Sequence, residues 1–286
     1  MMNSNEIKVS VIIPTYNRVE RLVDAIQSVQ NSTETNIEIL VCDDGSTDET
    51  ERTVKGLEKN DSRIKFICCG HNGRPAIPRN MGIKEAKGEW LAFLDDDDIW
   101  TNEKLSKQLD ALRKRNEKAC CTNAFICTNE GITSRLFFKS ESSRNIKLRE
   151  IFRHNPVICS SMLFHKSLVR ECIGFPEDKE LTAIEDYALW HRIAGYTDIF
   201  FLNEPLVGYL ETSQSSIREK KKLNFNEQKR LVERNLNIWL SDKGKQKIRY
   251  FISKVFSLLD LIEYRIKRFC INHIQVKGEL NDDNNT

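Results

Sequence analysis

The stretch Glu89–Trp100 reads EWLAFLDDDDIW and places four carboxylates directly after a short apolar run. The run Trp90–Leu94 predicts a buried strand, because short apolar segments rich in large side chains are typical of such strands. In open α/β sheets, ligands bind beyond the carboxyl ends of the strands. Four successive aspartates repel one another, and Mg²⁺ or Mn²⁺ binds carboxylates together with substrate phosphates. The stretch therefore predicts a metal–phosphate site; the alternative is a solvated acidic turn before a helix near Thr101.

The composition describes a folded chain with balanced charge. The 286 residues are 40% hydrophobic and 30% charged, which allows a sizeable core and excludes a wholly disordered chain. The 44 basic and 42 acidic residues leave a net charge of +2, so we expect no nucleic-acid partner. The sequence has no basic-then-apolar leader and no apolar stretch of about 18 residues, so we expect neither a signal peptide nor a transmembrane helix.

Cysteine usage indicates a reducing compartment. Most of the nine cysteines lie inside apolar segments, such as Cys42 and Cys68-Cys69. Their number is odd and the sequence contains no C-x-x-C pair, which predicts buried thiols rather than disulfides or a zinc site. We therefore expect a cytoplasmic protein.

Strand and helix patterns alternate through the first hundred residues. This alternation is typical of a parallel sheet with crossover helices, in which the loops at the carboxyl strand ends share one face. Those loops are Pro14–Arg18, Asp43–Ser46 and Asp95–Asp98. The first three strands are predicted at Val9–Ile13, which Pro14 would stop, and at Ile37–Cys42 and Ile64–Cys68.

Two side-chain pairs predict where the first two helices begin. Asn17 with Glu20, and Ser46 with Glu49, have the spacing of a capping box. Each pair would place a helix directly after a strand-end loop.

The second half of the chain contains another pair of acids. Glu185-Asp186 is predicted at a helix start, where the helix dipole stabilises carboxylates; the alternative is simple capping. The segment Glu130–Arg144 has little periodicity and predicts a hairpin or a mobile segment. Further strands are predicted at 118–127, 160–164 and 198–202.

Residues 223–276 predict two helices divided near Ser241–Gly244. The second could lie on an anionic membrane surface, or could pack its apolar face on the catalytic domain or on a second subunit. Its apolar positions are Ile248, Phe251, Ile252, Val255, Leu258, Leu259, Ile262 and Ile266, and its basic positions are Lys245, Lys247, Arg249, Lys254, Arg265, Lys267 and Arg268.

Four segments, in this order, resemble the inverting glycosyltransferase family 2. They are VSVIIPTYNR (9–18), CDDGSTDET (42–50), RNMGIKEAKGEWLAFLDDDDIW (79–100) and EDYALW (185–190). The resemblance covers residues 7–212 and implies the GT-A fold, an α/β fold whose Rossmann-like, mostly parallel central sheet is flanked by helices. The domains are then a GT-A domain at 1–220, a C-terminal helical extension at 221–276 and a disordered tail at 277–286.

The resemblance also implies roles for the residues that match the family's motifs. Asp97 would coordinate Mn²⁺ or Mg²⁺, and Asp98 would cap the next helix. Asp186 would be the catalytic base, with Glu185 as the alternative. The implied nucleotide-sugar-binding residues are Pro14, Thr15, Tyr16, Asp44, Arg79 (or Arg74), Asp95 and Asp96.

The implied function is transfer of a sugar from a nucleotide-diphosphate sugar, with a UDP-sugar as the expected donor, to a hydroxyl of a glycan or glycolipid acceptor. One carboxylate base opposite the leaving group implies a single displacement with inversion. The expected context is synthesis of surface polysaccharide, lipopolysaccharide or capsule, at the inner face of the membrane or in a homodimer formed through the C-terminal helices. The alternatives are a catalytically inactive nucleotide-sugar-binding or scaffold protein and a nucleotidyltransferase.

The sequence departs from the family pattern after the last predicted strand. Many members have Y-R-x-H there, and this chain has Tyr209-Leu210-Glu211-Thr212. A histidine contact to the diphosphate is therefore not expected at this point. The histidines His71, His154, His165 and His191 have no motif support, and we expect structural or exposed positions for them.

Overall fold

A computed structural model describes residues 7–128, 130–139, 142–211, 223–241, 243 and 246–262. Its described strands form one mixed sheet in the order β3-β2-β1-β4-β9-β6-β10-β5, with β7 beside β6 and β8 beside β10. The strands are β1 (Val9–Thr15), β2 (Ile37–Asp43), β3 (Ile64–Cys68), β4 (Trp90–Phe93), β5 (Ile99–Trp100), β6 (Ala119–Thr128), β7 (Gly131–Leu136), β8 (Arg144–Ile146), β9 (Leu163–His165) and β10 (Ile199–Leu210).

The described helices cover both faces of this sheet, which confirms the predicted α/β class. The apolar side chains of β1 alternate between two core layers: Val9, Val11 and Ile13 face one layer, and Ile12 faces the other. The helices are α1 (Val19–Gln30), α2 (Thr50–Asn60), α3 (Ala76–Glu85), α4 (Lys104–Arg115), α5 (Leu148–Ile151), α6 (Ser167–Cys172), α7 (Glu185–Ala194), α8 (Phe225–Trp239) and α9 (246–262).

The sheet has a parallel half and a mixed half. Strands β1 to β4 are parallel to one another, as the alternation of patterns predicted. Strand β9 is antiparallel to both β4 and β6, and β10 is parallel to β6. Strands β1–β4, β6 and β10 therefore point in one direction, and their carboxyl ends share one edge of the sheet.

Strand β1 continues through Pro14, although the proline was expected to stop it. Asp44 donates its backbone N–H to the carbonyl of Thr15, and Leu94 donates to that of Ile12, so alternate residues of β1 face β2 and β4. Pro14 faces the β4 side. Strand β4 pairs with β1 only as far as Ile12. The backbone N–H that Pro14 lacks is therefore not needed for pairing with β4.

The two predicted capping boxes do not form. Asn17 has φ 51° and accepts a hydrogen bond from the backbone N–H of Thr47 (2.7 Å), so it joins two loops instead of capping α1. Ser46 donates to Asp43 (2.5 Å), and α2 begins only at Thr50. In both cases a contact at the strand end replaces the local cap.

The mixed half differs from the sequence expectations in detail. Residues 159–161 form a 3₁₀ turn, and the strand predicted at 160–164 is reduced to β9. Strand β10 extends from the predicted 198–202 to Leu210, with register shifts around Pro205. Strand β7 forms a hairpin with β6, one of the two alternatives for this segment.

The C-terminal pair of helices breaks near the predicted position, between residues 239 and 246. Residues 263–276 and the predicted tail at 277–286 lie outside the described residues. The part of α9 that is described does not pack its apolar stripe on the catalytic domain, because Ile248, Phe251 and Ile262 are more than half exposed. Among the described residues, no helix is both long enough and apolar enough to cross a membrane.

Candidate active site

The acidic cluster at the end of β4 is tied to the end of β1. Asp96 is buried and accepts a hydrogen bond from the hydroxyl of Thr15 (2.8 Å). The guanidinium of Arg18 bridges two carboxylates, with its Nη1 atom 3.0 Å from Asp96 Oδ1 and 2.8 Å from Asp97 Oδ2. The polar ends of two parallel strands therefore share one charged cluster, as the strand-end prediction required.

Asp98 turns away from solvent instead of capping a helix. Its carboxylate accepts hydrogen bonds from the hydroxyl of Ser160 (2.5 Å) and from the backbone N–H of Leu210 (3.0 Å). The same hydroxyl accepts from the backbone N–H of Asp95 (3.1 Å). Helix α4 begins only at Lys104, so the capping role expected for Asp98 is wrong. Asp98 joins the ends of β4 and β10 at the site's edge.

Negative charge exceeds positive charge at this strand end. Burial raises the pKa of Asp96 to about 6, against the opposing effect of Arg18. Burial and the neighbouring Asp95 raise the pKa of Asp97, and burial raises the pKa of Asp98 well above its ordinary value. The carboxylates are held in a partly desolvated site where a further cation would be stabilised.

The ends of β2 and β3 form a second part of the site. Both oxygens of the buried Asp44 carboxylate accept backbone N–H groups, from Asn72 (3.0 Å) and Gly73 (2.7 Å). His71 stacks on the ring of Tyr16, with centroids 4.7 Å apart and an interplanar angle of 27°. Tyr16 is 42% exposed, so an aromatic surface faces solvent beside Asp44.

His71 is exposed, as expected, and the structure also places it at the candidate site, which no sequence motif indicated. Its Nδ1 atom lies 3.0 Å from the Asp44 backbone oxygen, which fixes the imidazole at the strand-end edge. Its position just after β3, on the same edge as the other strand-end loops, could have indicated this placement from the sequence. His191, in contrast, is buried against the Tyr187 carbonyl (3.0 Å), and burial lowers its pKa to about 4, as fits a structural histidine.

Arg79 joins the two acidic segments of the chain. This buried side chain donates from Nη2 to Asp95 Oδ1 (2.6 Å) and from Nη1 to Glu185 Oε1 (2.6 Å). Its guanidinium also lies 5.3 Å from the centroid of the Phe175 ring. The start of α7 is therefore held at the carboxyl edge of the sheet, beside the aspartates that follow β4. Arg74 donates to the backbone oxygen of Glu177 and makes no such bridge.

The predicted acids do occupy a helix start, since α7 begins at Glu185. Glu185 and Asp186 are 3% and 4% exposed, and Asp186 Oδ1 accepts the backbone N–H of Tyr187 (2.7 Å). Burial raises the pKa of Glu185 in spite of its bond to Arg79. Its second oxygen has no hydrogen-bond partner among the described residues. Ile184 occupies the N-cap position and makes no side-chain cap bond. Asp186 therefore makes a local contact at the helix start, whereas Glu185 is bound by Arg79 and simple capping does not account for it.

The residues present fit a divalent cation shared with a ligand. Within the described part of the chain, no group of three acidic, histidine or cysteine side chains forms a complete metal site. Asp95, Asp96 and Asp97 nevertheless offer hard oxygen donors, and their charge is only partly offset by Arg18 and Arg79. Mg²⁺ and Mn²⁺ often take few protein carboxylates and complete their coordination with phosphates and water.

A family model described as glycosyl transferase family 2 matches residues 10–172 of this sequence. The chain belongs to this family. An uncharacterized glycosyltransferase of Rickettsia conorii is 34% identical over 202 residues, which are 71% of this chain and 32% of that protein. The chain thus spans about a third of this relative. An Escherichia coli protein, the UDP-Glc:alpha-D-GlcNAc-diphosphoundecaprenol beta-1,3-glucosyltransferase WfgD, is 34% identical over 223 residues, 78% of this chain and 83% of that protein.

The solved structures support the fold of this family 2 member. The crystal structure of Staphylococcus aureus TarS 1-349 in complex with UDP-GlcNAc superposes with a TM-score of 0.67 at 22% sequence identity. The match covers 82% of this chain and 67% of that one. The GT-A fold predicted from the sequence motifs is therefore confirmed.

Proposed function

We propose that this chain transfers a sugar from a UDP-sugar to a hydroxyl of a lipid-linked glycan, with inversion, in the synthesis of a surface polysaccharide at the cytoplasmic face of the membrane. Its relatives support the substrate classes. The name of WfgD specifies UDP-Glc and a diphosphoundecaprenol-linked sugar, and TarS was crystallised with UDP-GlcNAc. Family membership supports glycosyl transfer.

The observation that carries the proposal is the bridge made by Arg79. It hydrogen-bonds Asp95, which follows β4, and Glu185, which begins α7. The bridge supports the proposal that the donor-side acids and Asp186, the neighbour of Glu185, belong to one site, although about ninety residues separate Asp95 from Glu185 in sequence. A transferase needs this arrangement, because the hydroxyl that the base deprotonates attacks the same anomeric carbon from which the leaving group departs.

We assign the donor nucleotide to the loops after β1, β2 and β3. Pro14, Thr15 and Tyr16 line this side, and the exposed ring of Tyr16 offers a stacking surface for the base. Asp44 uses both carboxylate oxygens to hold the backbone of residues 72 and 73. Each of these oxygens has a second acceptor position for a base N–H.

Arg79 is a positioning residue and does not bind the nucleotide directly. Its terminal nitrogens already donate to the carboxylates of Asp95 and Glu185, so it acts on the donor by orienting Asp95. Asp95 and Asp96 would contact the ribose or metal-bound water, and Asp97 would hold Mn²⁺ or Mg²⁺. When bound, the cation would supply Lewis-acid stabilisation of the departing diphosphate.

Asp186 is the proposed general base. It accepts the proton of the acceptor hydroxyl while that oxygen attacks the anomeric carbon from the face opposite the nucleotide. One displacement inverts the anomeric configuration. The buried, neighbouring Glu185 is engaged by Arg79 and therefore orients the start of α7.

A screen of nucleotide sugars tests this proposal. We expect a UDP-sugar to raise the melting temperature of the full chain in the presence of Mn²⁺ more than the matching ADP- and GDP-sugars do, and to be consumed when a lipid-diphosphate sugar acceptor is added. NMR of the product should show inverted anomeric configuration. A retained configuration would exclude the single displacement, and binding without any turnover across acceptors would favour a nucleotide-sugar-binding protein.

A further inference from the structure

Helix α9 turns its polar face toward the protein. Lys254 pairs with Glu233 of α8 (2.7 Å), and Asp260 accepts a hydrogen bond from Arg153 (2.9 Å). Ser257, on the same side of the helix, is buried. These contacts fix the rotation of α9 about its own axis, because they engage its polar residues over two turns.

Tyr250 anchors the first part of α9 to α7. Its side chain is buried and its hydroxyl donates to the backbone oxygens of His191 and Arg192. The approach depends on Gly195, where an added Cβ would lie only 2.2 Å from the Tyr250 hydroxyl oxygen. Tyr250 therefore docks α9 on the C-terminal part of α7, the helix whose second residue is the proposed catalytic base, Asp186.

The apolar face of α9 points away from the protein. A surface helix of a globular domain normally buries its apolar stripe and exposes its polar one, the reverse of what α9 does. Contiguous exposed apolar surface marks an interaction site. Its large apolar side chains that are 38% to 69% exposed are Ile248, Phe251, Ile252, Val255, Phe256, Leu258, Leu259, Leu261 and Ile262.

The charges beside this face are positive. Lys247 and Arg249 are exposed, whereas Asp260, the one acid within the described residues of α9, is turned inward to a guanidinium. If a second copy packed its α9 on this face, the described part of that helix would bring no outward-facing acid to pair with these cations. An anionic lipid surface offers phosphates to the cations and hydrocarbon to the apolar side chains.

We propose that α9 is a membrane-docking helix, which lies in the surface of a bilayer containing anionic lipid with its outward apolar face inserted. The benefit of membrane docking, access to a lipid-linked acceptor, rests on the proposed function. Along α7, the Arg192 carbonyl that binds Tyr250 lies six residues beyond Asp186, so the α9 anchor is roughly 9 Å along the helix axis from Asp186. A lipid-linked acceptor in the same bilayer would present its sugar within reach of that base.

Flotation of the full chain with vesicles tests the proposal without any substrate, so its outcome is independent of the proposed reaction. Vesicles of phosphatidylcholine with phosphatidylglycerol should capture the wild-type chain, and pure phosphatidylcholine should capture less. Phe251→Gln/Leu259→Gln should reduce capture about tenfold or more, because two inserted side chains become polar. Lys247→Gln/Arg249→Gln should reduce capture only on anionic vesicles.

The control exchanges two exposed apolar residues on β7, the strand that pairs with β6. Ile132→Gln/Leu136→Gln should float like the wild type. All variants should keep the wild-type melting temperature, since the altered side chains are exposed. Capture that does not depend on Phe251 and Leu259 would overturn the proposal. So would a wild-type chain that ignores vesicles and forms a dimer in analytical ultracentrifugation that Phe251→Gln/Leu259→Gln dissociates.

Discussion

The parallel half of the sheet, β3-β2-β1-β4, and the mixed half, β9-β6-β10-β5, bring side chains to the same edge by different means. In the parallel half, the polar residues come directly after their strands and bind one another from loop to loop. Asn17 binds the loop after β2, and Asp44 binds the loop after β3. In the mixed half, the important acids come from the start of a helix and reach the edge through a long-range contact.

This difference accords with the separate tasks that we propose for the two halves. The parallel half has a set of loops joined to one another, which we propose to bind the nucleotide, and their geometry depends on contacts between neighbours in the sheet. The mixed half contributes Asp186, whose position depends on the bridge from Arg79 and on the packing of α7. We therefore expect mutations in the parallel half to change donor affinity and mutations at α7 to change turnover.

The largest expected effect separates turnover from donor binding. Asp186→Asn keeps the size of the side chain but cannot accept the proton of the acceptor. The rate should fall by about 10²–10⁴-fold, with donor affinity within about twofold of wild type because Asp186 belongs to the other half. Turnover with saturating UDP-sugar and calorimetry with UDP measure the two quantities.

Glu185→Gln is the matched control for that prediction. It keeps shape and an acceptor oxygen for Arg79, and should lower the rate much less than Asp186→Asn does. The assignment of Asp186 as the base would be reversed if Glu185→Gln were the more damaging change. Near-normal turnover of both variants would remove the base from α7 altogether.

Much of the parallel half could be predicted because its signals are local. The bounds of β3, Ile64–Cys68, match the prediction residue for residue, since a short, mostly apolar run just before a glycine-containing loop has few alternatives. The convergence of the loops followed from strand direction alone. The capping boxes failed because Asn17 and Ser46 could bond either to a helix start or to a neighbouring loop, and sequence spacing cannot rank these choices.

The mixed half and the exact roles within the site depend on contacts that sequence does not express. Four identical aspartates give no sign that Asp98 alone turns inward to Ser160. Arg79 and Glu185 are 106 positions apart, and no periodicity connects them. The pattern of α9 predicted an apolar face, but which face would meet the protein depends on Tyr250 and Asp260, whose partners lie in other elements.

The second prediction removes the link between the halves. Arg79→Met leaves the buried carboxylate of Glu185 without its cation, and the free energy of unfolding should fall by about 3–5 kcal/mol. Urea denaturation measures this loss. Donor affinity and turnover should both fall, because Asp95 and the start of α7 lose their common partner.

Arg74→Met is the control, since Arg74 contacts only a backbone oxygen at Glu177 in the described hydrogen-bond pattern. Its stability should stay close to that of the wild type. A large loss of UDP affinity in Arg74→Met with little change in Arg79→Met would assign the nucleotide contact to Arg74 instead. It would also show that the bridge is not needed for donor binding.

A smaller effect is expected within the parallel half alone. Asp44→Ala removes the acceptor for the backbone N–H groups of residues 72 and 73 and for the donor base. UDP binding should weaken by about 1–3 kcal/mol, the usual loss for a hydrogen bond to a charged group. Turnover at saturating donor should change little. Unchanged affinity in calorimetry would mean that the loop after β2 does not bind the nucleotide.

The smallest effect concerns a buried amine on α4 that packs against the mixed half. Lys104 is fully buried, donates to Gln108 (2.8 Å) and lies 3.8 Å from the centroid of the Trp100 ring. Burial lowers its pKa from 10.5 to about 7. The neighbouring thiol of Cys120 stays uncharged below pH 10, since burial raises its pKa to about 12.

The sign of the resulting pH dependence follows from proton counting. Above pH 7 the folded chain has mostly lost the Lys104 proton, whereas the unfolded chain keeps it up to about pH 10.5. The unfolded state then binds more protons, so the free energy of unfolding rises with pH, by about 1 kcal/mol between pH 7 and 8. Lys104→Met should lack this rise, measured by urea denaturation at each pH. Lys107→Met alters an exposed lysine of the same helix and should keep the wild-type slope; equal slopes in all three proteins would mean that Lys104 stays charged in the folded chain.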